Sequence, residues 1–336
     1  MILNADEGPL VSIIMTTRNA EKFLQATLDS IISQSYRHWE LIVVNNQSTD
    51  KTFAILNNYA TKDARIKVFT NPGVPEIIPG LQYGFSQSSG SFITRMDSDD
   101  LMTPNKLKIL VNLLLENGPG HVVTGCVRHF SDEKVLQGFR RYDAWINRVM
   151  RSGSHYREIY RECVIPSSCW MVHRQDFMQC GAFGQMVYPE DYNLCFRFYS
   201  GNMKIVASNE VLHLWREHTG RISKTDDRYK DQLYYDLKLS FFVKLDLDKN
   251  ANLIVWGAGK KGKKLATKLQ RMGLSFGWVC NNEKKIGHNI YGTLINHPEL
   301  LIKPGARQVL VAVSAREKDD IDDFLLRHQI WHRWFC

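Results

Sequence analysis

The sequence of 336 residues lacks several features that would assign it to a special class. No apolar run reaches the roughly 18 residues that a membrane-spanning helix needs. The seven cysteines are scattered, odd in number and without a Cys-x-x-Cys pair, which argues against a disulfide framework and against a zinc site. The amino-terminal residues carry acids where a signal peptide would carry bases. We therefore predict a cytoplasmic protein with no transmembrane segment.

An excess of charge of either sign is missing from the first three quarters of the chain. Residues 1–248 hold 28 Lys and Arg against 28 Asp and Glu, whereas residues 249–336 hold 15 against 7. The whole net charge of +8 therefore lies in the last quarter. Such an asymmetry suggests a polyanionic partner, such as nucleic acid or a membrane surface. The alternative is a basic domain that is simply well solvated.

Strand and helix patterns alternate through the first hundred residues. The strand candidates are LVSIIMTT, WELIVVNN, RIKVFTN and GSFITRMDSDD, and segments with helical spacing of apolar residues separate them. This order predicts an α/β fold with a parallel sheet covered by helices on both faces. Ligands of such sheets bind at the carboxyl ends of the strands. The polar segments TTRN, NNQSTD and DSDD should therefore converge there.

A second α/β pattern begins near Lys249, with NLIVWG, KKGKKLATKLQRMG, SFGWVCNN, QVLVAVS and EKDDIDDFLLRHQ. The length of the chain also favours two domains. We predict a first domain over residues 1–248 and a small, basic, Rossmann-like domain over residues 249–336. The less regular stretch 126–248 would shape an acceptor site within the first domain.

Three carboxylates crowd the end of the fourth strand candidate: Asp97, Asp99 and Asp100. Like charges so close raise one another's pKa, so the cluster needs a reason. One reason is a divalent cation, since Mg²⁺ typically takes one or two carboxylates together with substrate phosphates. Another is a helix cap, with Asp99 or Asp100 preceding a helix that starts near Pro104. The sequence pattern alone leaves both open.

The order of VSIIMTTRNAEKFL, ELIVVNNQSTDKT, RIKVFTN, GSFITRMDSDD, PEDYNLCFRF and WREHTGRIS resembles the family 2 glycosyltransferases over roughly residues 10–225. The resemblance implies the GT-A fold, a mixed and mostly parallel sheet, and metal-dependent transfer of a sugar from a UDP-sugar with inversion. It also implies residues that hold the nucleotide-sugar: Thr16, Arg18, Asn19, Asn46, Asp50 and Asp97. Arg216 could hold phosphate oxygens of the same ligand. Asn45 and Asn46 stand where the family usually has acids, but an amide can still hydrogen-bond a base edge or a ribose hydroxyl.

The same resemblance implies roles for the remaining polar motifs. Asp191 of YPEDYNL would be the general base, with Glu190 beside it, although both acids would also suit the first turn of a helix. Asp97 and Asp99 would bind Mn²⁺ or Mg²⁺, and His218 could complete the metal shell. His218 could equally be structural.

The carboxyl-terminal pattern contains GAGKKG between a strand and a helix, which matches the dinucleotide fingerprint. Asn281 and Asn282 replace the acid that would hold the ribose, so we expect no NAD and disfavour a dehydrogenase. The helix is notable for its bases, which suit phosphates of a nucleic acid. The residues predicted to bind acceptor RNA are Lys260, Lys261, Lys263, Lys264, Lys268 and Arg271.

The tandem of a family 2 domain and a tail reading IVWGAGKKGKKL also resembles the eukaryotic proteins called β-1,3-N-acetylglucosaminyltransferase-like. That narrower resemblance implies transfer of galactose to queuosine in a tRNA. Two alternatives remain at the level of the sequence. The first is the same enzyme class acting on a cell-surface glycan precursor, with the basic tail at an anionic membrane. The second is a nucleotide-sugar or RNA binding module without turnover, which the paired Asn45 and Asn46 would favour.

Overall fold

A computed structural model describes residues 8–132, 135–184, 187–221, 226, 231–313 and 318–336. The chain forms two compact units. Unit 1 comprises Met1–Tyr156 and Val164–Arg228, and unit 2 comprises Arg157–Cys163 and Tyr229–Cys336. Each has its own sheet, so the prediction of an α/β protein with a second, smaller sheet domain is confirmed.

The described part of unit 1 is built on a mixed sheet of eight strands in the order β3-β2-β1-β4-β7-β6-β8-β5. β1, β2, β3 and β4 pair in parallel, and β7 pairs antiparallel with both β4 and β6. β6 and β8 are parallel, whereas the short β5 runs antiparallel to β8. The strands are β1 Val11–Thr17, β2 Trp39–Asn45, β3 Ile66–Thr70, β4 Phe92–Asp97, β5 Leu101–Met102, β6 His121–Phe130, β7 Trp170–His173 and β8 Lys204–Arg216.

Helices fill the connections of unit 1. The predicted helices after β1, β2 and β3 all form, because their apolar residues recur at helical spacing and are buried at Leu24, Leu28 and Leu56. The helices are α1 Leu24–Ile32, α2 Thr52–Ala60, α3 Ile77–Ser86, α4 Lys106–Asn117, α5 Gln137–Ser152, α6 His155–Glu158, α7 Arg174–Gln179 and α8 Glu190–Ser200. Of these, α6 straddles the boundary between the two units.

The register of the central strands sets the position of the candidate site. Thr16 pairs with Asp97 across β1 and β4, and Thr17 pairs with Asn45 across β1 and β2. The loops after these three strands therefore begin side by side, as the sequence predicts. Helix α3 packs tightly over this edge, since a Cβ at Gly80 would lie 2.8 Å from Thr16 Cγ2. A side chain at residue 80 would push the helix off the sheet.

Unit 2 contains a six-stranded sheet in the order β11-β12-β10-β9-β13-β14. Its central pairs, β10–β9, β9–β13 and β13–β14, are all parallel. The strands are β9 Asn252–Trp256, β10 Gly277–Val279, β11 Asn289–Ile290, β12 Thr293–Asn296, β13 Arg307–Val311 and β14 Trp331–Trp334. The helices are α9 Asp231–Leu245, α10 Lys260–Arg271 and α11 Lys318–Arg327, and a 3₁₀ helix spans Pro298–Ile302. Glu317, where the sequence predicts the last helix to begin, lies outside the described residues.

The boundary of unit 2 differs from the predicted boundary between residues 248 and 249. Helix α9 belongs to unit 2 because Phe242 packs edge-on against the rings of Tyr160 and Phe335. The ring of Tyr160 in turn stacks on Phe335 at 5.5 Å. Aromatic contacts between residues far apart in sequence thus place two segments in unit 2, although the sequence pattern alone assigns both to the first domain.

No helix in the described part of the chain is both long and apolar enough to cross a bilayer. All seven cysteines are free thiols in the structure.

Candidate active site

The acid at the end of β4 is tied to a second acid by a buried arginine. Arg95 Nη2 lies 2.9 Å from Asp97 Oδ1, and its Nη1 lies 3.0 Å from Glu190 Oε1 at the start of α8. Arg95 is 7% exposed and Glu190 is 2% exposed. Burial opposes ionisation of Asp97, but the adjacent guanidinium outweighs it and lowers the pKa of Asp97. Arg95 therefore bridges two acids that are 93 residues apart, Asp97 and Glu190.

Asp99 lies beside the predicted histidine. His218 Nε2 is 2.9 Å from Asp99 Oδ2, and the two side chains are one-fifth to one-quarter exposed. Burial and the neighbouring carboxylates of Asp100 and Asp97 raise the pKa of Asp99 to about 6. A carboxylate held among like charges, with an imidazole at hydrogen-bond distance, is a donor set that a divalent cation would stabilise.

The described residues contain no group of three His, Cys, Asp or Glu side chains already arranged around a common point that could hold a metal. Asp97 is engaged by Arg95, which leaves Asp99 and His218 as the pair available to a cation. Two protein ligands are enough for Mg²⁺ when substrate phosphates and water supply the others. The residues therefore fit a cation that binds together with a diphosphate.

Asp100, the third acid of DSDD, points into the interior. Its Oδ2 lies 3.0 Å from His213 Nε2, and its Oδ1 accepts a hydrogen bond from the backbone N–H of Arg216 at 2.8 Å. Lys106 Nζ lies 3.2 Å from His213 Nδ1 and also donates to the carbonyl of Ser168. Burial and Lys106 lower the pKa of His213 well below its usual range. His213 is therefore neutral, with its Nε2–H donating to Asp100.

These contacts decide between the two sequence interpretations of DSDD. Helix α4 starts at Lys106, and its N-terminal residue Asn105 forms no side-chain cap. Asp99 and Asp100 instead contact His218 and His213 on the strand and loop of the β8 region. The helix-cap interpretation is wrong, because both carboxylates are used across the sheet edge.

Asp191 lies in the first turn of α8, next to the clamped Glu190. Its Oδ1 accepts a hydrogen bond from the backbone N–H of Tyr192 at 2.7 Å. Burial and the charge of Glu190 raise the pKa of Asp191 to about 7. The carboxyl lines a cavity of about 10 Å³ together with Arg95, Ser167 and Trp170. A carboxyl with a pKa near neutrality beside a cavity is suited to proton transfer.

The loops after β1 and β2 bind each other. Asn19, with φ of 51°, accepts from the backbone N–H of Thr49 at 2.9 Å and donates its own backbone N–H to Ser48 Oγ at 3.0 Å. Asp50 accepts from the backbone N–H groups of Glu21 and Thr52. Burial alone would raise the pKa of Asp50, but these hydrogen bonds lower it. Asn19 and Asp50 thus stabilise the two loops against each other, in addition to the binding role predicted for them.

The remaining predicted nucleotide ligands flank this loop pair. Asn46 Nδ2 donates to the carbonyl of Glu76, and its Oδ1 accepts from Asn71 Nδ2 at 2.8 Å, so both ends of the amide are engaged within the protein. Arg18 is exposed and Thr16 is half-buried at the end of β1. The structure brings Thr16 next to Asp97 through the strand register.

Arg216 is fixed at the end of β8. Its Nε donates to the carbonyl of Asp99 at 2.9 Å, and its guanidinium packs over the rings of Phe23 and Phe130 at 4.7 and 4.5 Å. It is 7% exposed. Arg216 therefore orders the loop that carries Asp99 and Asp100.

The predicted basic surface of α10 is smaller than the sequence suggests. Lys268 is 7% exposed and its Nζ pairs with Asp236, so it does not belong to that surface. Lys264 Nζ lies 4.7 Å from the centre of the Tyr235 ring. Lys260, Lys261 and Arg271 are exposed and Lys263 is half-buried. The basic residues of α10 thus lie on two faces of the helix, because the face that carries Lys264 and Lys268 packs against α9.

The GAGKKG segment has structural reasons for two of its glycines. A Cβ at Gly262 would lie 1.8 Å from the carbonyl oxygen of Gly257, and Gly257 has φ of +122°. Asn281 accepts a hydrogen bond from Trp256 Nε1 at 3.2 Å, and Lys285 Nζ donates to the carbonyl of Ala258. The tight strand-to-helix turn explains the motif without a cofactor.

Sequence reasoning missed Arg95, Lys106 and His213. No motif marks them: Arg95 and His213 are polar residues within apolar strands, and Lys106 is one of two lysines at the start of a helix. Only their burial reveals them.

The carboxyl edge of the sheet in unit 1 brings together three features. They are the acid held by Arg95, the pair of Asp99 and His218, and the Asp191 carboxyl with a pKa near 7. This is the layout of a nucleotide-sugar transferase. The family described as glycosyl transferase family 2 matches residues 12–181, which is half of the chain. The chain belongs to glycosyl transferase family 2. The predicted enzyme class, glycosyltransferase, is confirmed at the level of the family.

Three similar proteins illustrate the range of relatives. A UDP-Glc:α-D-GlcNAc-diphosphoundecaprenol β-1,3-glucosyltransferase, WfgD of Escherichia coli, is 38% identical over 109 residues, covering 32% of this chain and 42% of WfgD. The TarS 1–349 structure from S. aureus in complex with UDP-GlcNAc has a TM-score of 0.52 at 19% identity, covering 78% of this chain and 72% of that chain. A mannosyltransferase from Pyrobaculum calidifontis, in complex with GDP-Man and Mn²⁺, also has a TM-score of 0.52, at 16% identity, covering 72% and 65%.

These similarities establish the fold of unit 1 as the GT-A type and leave the finer activity open. The two structures share too little sequence to show more than the fold. The chain spans about half the length of the curated relatives that it matches.

We expect Arg95→Lys to lower kcat by about 10–100-fold while leaving KM for the sugar donor within about threefold. A lysine keeps the charge but cannot bridge Asp97 and Glu190, and each charge-assisted hydrogen bond is worth roughly 1.5–3 kcal/mol. Steady-state kinetics measures both quantities, and thermal unfolding checks that the variant is folded. Arg65→Lys is the matched control, because Arg65 makes a comparable two-point contact with Asp63 at the surface. Equal activity of wild type and Arg95→Lys would show that the clamp does not position the site.

Proposed function

We propose that the protein is a metal-dependent, inverting glycosyltransferase that uses a UDP-sugar. The observation that carries this is the Arg95 clamp, which links Asp97 to Glu190. It holds the predicted diphosphate-binding edge and the predicted base, Asp191, at one site. In an inverting transfer the acceptor oxygen forms its bond to the anomeric carbon as the bond to the diphosphate breaks.

The residues divide the work of that step. Asp191 accepts the proton of the acceptor hydroxyl, for which its raised pKa is well placed. Asp99 and His218 would hold a divalent cation, which supplies charge neutralisation to the leaving diphosphate when bound. Arg216 and Arg95 keep the DSDD loop and the start of α8 in place.

A uridine nucleotide and galactose are the donor that we favour. TarS is described with UDP-GlcNAc and WfgD by its use of UDP-Glc, which supports a UDP-sugar. Galactose rests on the sequence resemblance alone. We favour Mn²⁺ or Mg²⁺ as the cation, and the mannosyltransferase described with Mn²⁺ supports it.

For the acceptor we favour queuosine in tRNA, with the enzyme in the cytosol. The exposed bases of α10, Lys260, Lys261, Lys263 and Arg271, suit a polyanion and support this choice. The second candidate is a lipid-linked glycan precursor, and the name of WfgD favours it. A binding module without turnover is the third. The pair Asn45 and Asn46 favours it, although the hydrogen bonds of Asn46 to Glu76 and Asn71 give that residue a structural reason as well.

One experiment separates these candidates. The purified chain is incubated with each of several UDP-sugars and Mn²⁺, with either queuosine-containing tRNA or a polyprenyl-diphosphate GlcNAc, and both UDP release and product mass are measured. A mass increase of one hexose on the tRNA nucleoside supports the tRNA acceptor. A hexose on the lipid-linked sugar instead overturns that acceptor and keeps the transferase. Donor binding without UDP release under any condition would contradict the proposed reaction.

We also expect the variant Lys260→Gln, Lys261→Gln, Lys263→Gln and Arg271→Gln to bind tRNA more weakly. Each lost phosphate contact should flatten the dependence of log K on log salt by roughly 0.7–0.9. UDP release in the absence of acceptor should stay unchanged, since the reaction site lies in unit 1. Lys268→Gln is a poor addition to this set, because Lys268 is itself buried and the change would break its ion pair with Asp236. A salt titration that superimposes on that of wild type would remove α10 from the acceptor surface.

A further inference from the structure

Helix α5 in unit 1 carries a basic face that the proposed function does not use. Arg140, Arg141, Arg148 and Arg151 are all exposed on it. Their spacing of 1, 7 and 3 residues places them along one side of a helix, over about 16 Å at 1.5 Å per residue. We call these four residues the α5 arginine face.

The α5 arginine face has no acid of its own. Asp143 is the one acid within α5, and it is occupied by His129, whose Nδ1 lies 2.6 Å from its Oδ1. None of the four arginines forms an ion pair with another of the residues that the structure describes. Four like charges within twelve residues repel one another, so the face is arranged for an anionic partner rather than for the stability of the helix.

The opposite side of α5 is buried against the rest of unit 1. Trp145, Ile146, Val149 and Met150 are buried in unit 1. Asn147 adds two hydrogen bonds to the backbone of Val127 on β6. The helix therefore cannot turn an apolar side toward lipid, which an amphipathic membrane helix must do.

The amino-terminal end of α5 lies close to the candidate active site. The ring of Phe139 is 4.9 Å from His129, and the ring of Tyr142 is 5.9 Å from Trp215. Trp215 directly precedes Arg216, whose side chain binds the DSDD loop. The α5 arginine face thus begins beside the site and leads away from it along unit 1.

We propose that the α5 arginine face binds the phosphate backbone of the acceptor RNA. Guanidinium groups suit phosphates because they present two parallel donors, and a row of four fits successive phosphates of one strand. Phosphate contacts orient a nucleic acid without reading its sequence, so the face would guide a strand whose target base reaches the site. The inference rests on the proposed function in taking a tRNA as the acceptor.

The test compares tRNA binding by wild type with that by Arg140→Gln, Arg141→Gln, Arg148→Gln and Arg151→Gln combined. Glutamine is nearly as good a helix former as arginine, so the fold should be kept. A matched control removes four exposed cations elsewhere in unit 1, at Arg37, Lys62, Lys108 and Lys204. Fluorescence anisotropy at several salt concentrations gives the affinity and its slope, and UDP release without acceptor reports the transferase site.

We expect the α5 variant to bind tRNA at least tenfold more weakly at low salt. Its log K against log salt should flatten by about 3, since each lost contact contributes roughly 0.7–0.9. The control variant should lose much less, and UDP release should be unchanged in both. Replacing the four arginines by lysine should retain part of the affinity, because the charge remains while the paired donors are lost.

Four outcomes would overturn the inference. Wild-type affinity of the α5 variant would remove this face and leave the tRNA acceptor intact. An equal loss in the control variant would mean that total charge, and no particular surface, governs binding. No tRNA binding by wild type at low salt would remove the face and the tRNA acceptor together, while UDP release would still test the transferase. Loss of binding to phosphatidylserine vesicles, with tRNA affinity kept, would assign the face to a membrane.

Discussion

Asp191→Asn is expected to lower kcat by about 10²–10⁴-fold, which is the usual contribution of a general base. The donor Kd should stay within about threefold of wild type, because Asp191 is assigned to the acceptor's proton and not to the nucleotide. Asparagine is close to aspartate in size and can keep the hydrogen bond from the Tyr192 backbone N–H. Single-turnover transfer and donor titration calorimetry measure the two quantities.

The pH profile gives Asp191 a second signature. Burial and the charge of Glu190 raise the pKa of Asp191 to about 7, so its base form is present above that pH and lost below it. The wild-type kcat should therefore fall by about tenfold for each pH unit below 7, while Asp191→Asn should show no such limb. Glu116→Gln, an exposed acid on α4, is the matched control and should retain the wild-type profile. Loss of donor binding by Asp191→Asn, or an acidic limb that the variant retains, would show that Asp191 has another role.

Asp99→Asn is the second large effect that we expect, with transfer reduced by about 10³-fold or more. An amide cannot supply the negative charge that a divalent cation needs, and the diphosphate would lose its charge partner. Thermal unfolding should change little, because Asp99 is partly exposed and its replacement relieves repulsion from Asp97 and Asp100. Initial rates across a Mn²⁺ titration provide the measurement.

Asp100→Asn is the matched comparison for that prediction. It removes a fully buried acid that binds His213 and the Arg216 backbone N–H, so it should cost about 1–3 kcal/mol of unfolding free energy. Loss of metal response with an unchanged unfolding temperature at Asp99, and the reverse at Asp100, would separate the two acids. Full activity of wild type in excess chelator would contradict the metal assignment for Asp99.

The sequence predicts the core of unit 1 well because its elements are decided locally. The apolar runs of β1, β2 and β4 are fully buried, and their order in a parallel sheet brings Thr16 and Asp97 into register. The site acids follow from the same rule, since each stands directly after a strand or at the start of a helix. Local pattern and topology together therefore predict that Thr16, Asp97 and Asp99 occupy one edge, whereas only the family resemblance implies that Asp191 joins them.

The features that could not be predicted from the sequence depend on contacts between segments that are distant along the chain. Arg95 reads as an ordinary strand residue until Glu190, 95 positions later, is found beside it. Lys268 reads as part of a basic run until α9 brings Asp236 against it. Helix α9 joins unit 2 through Phe242, whose partners Tyr160 and Phe335 are 175 residues apart in the sequence. Such pairings are fixed by packing, which no local pattern encodes.

The buried chain Lys106–His213–Asp100 has a consequence for how this sequence can diverge. Each member satisfies the next, with Lys106 at His213 Nδ1 and His213 Nε2 at Asp100. Loss of one member leaves a buried charge or polar atom unpaired, at a cost of about 1–3 kcal/mol for a conservative change such as Asp100→Asn and about 3–5 kcal/mol for a truncation, whereas replacing all three by apolar residues of similar volume can be nearly neutral. Substitutions here should therefore show strong epistasis. Descendant sequences should retain all three residues or exchange them together, since most single steps pass through a poorly folded intermediate.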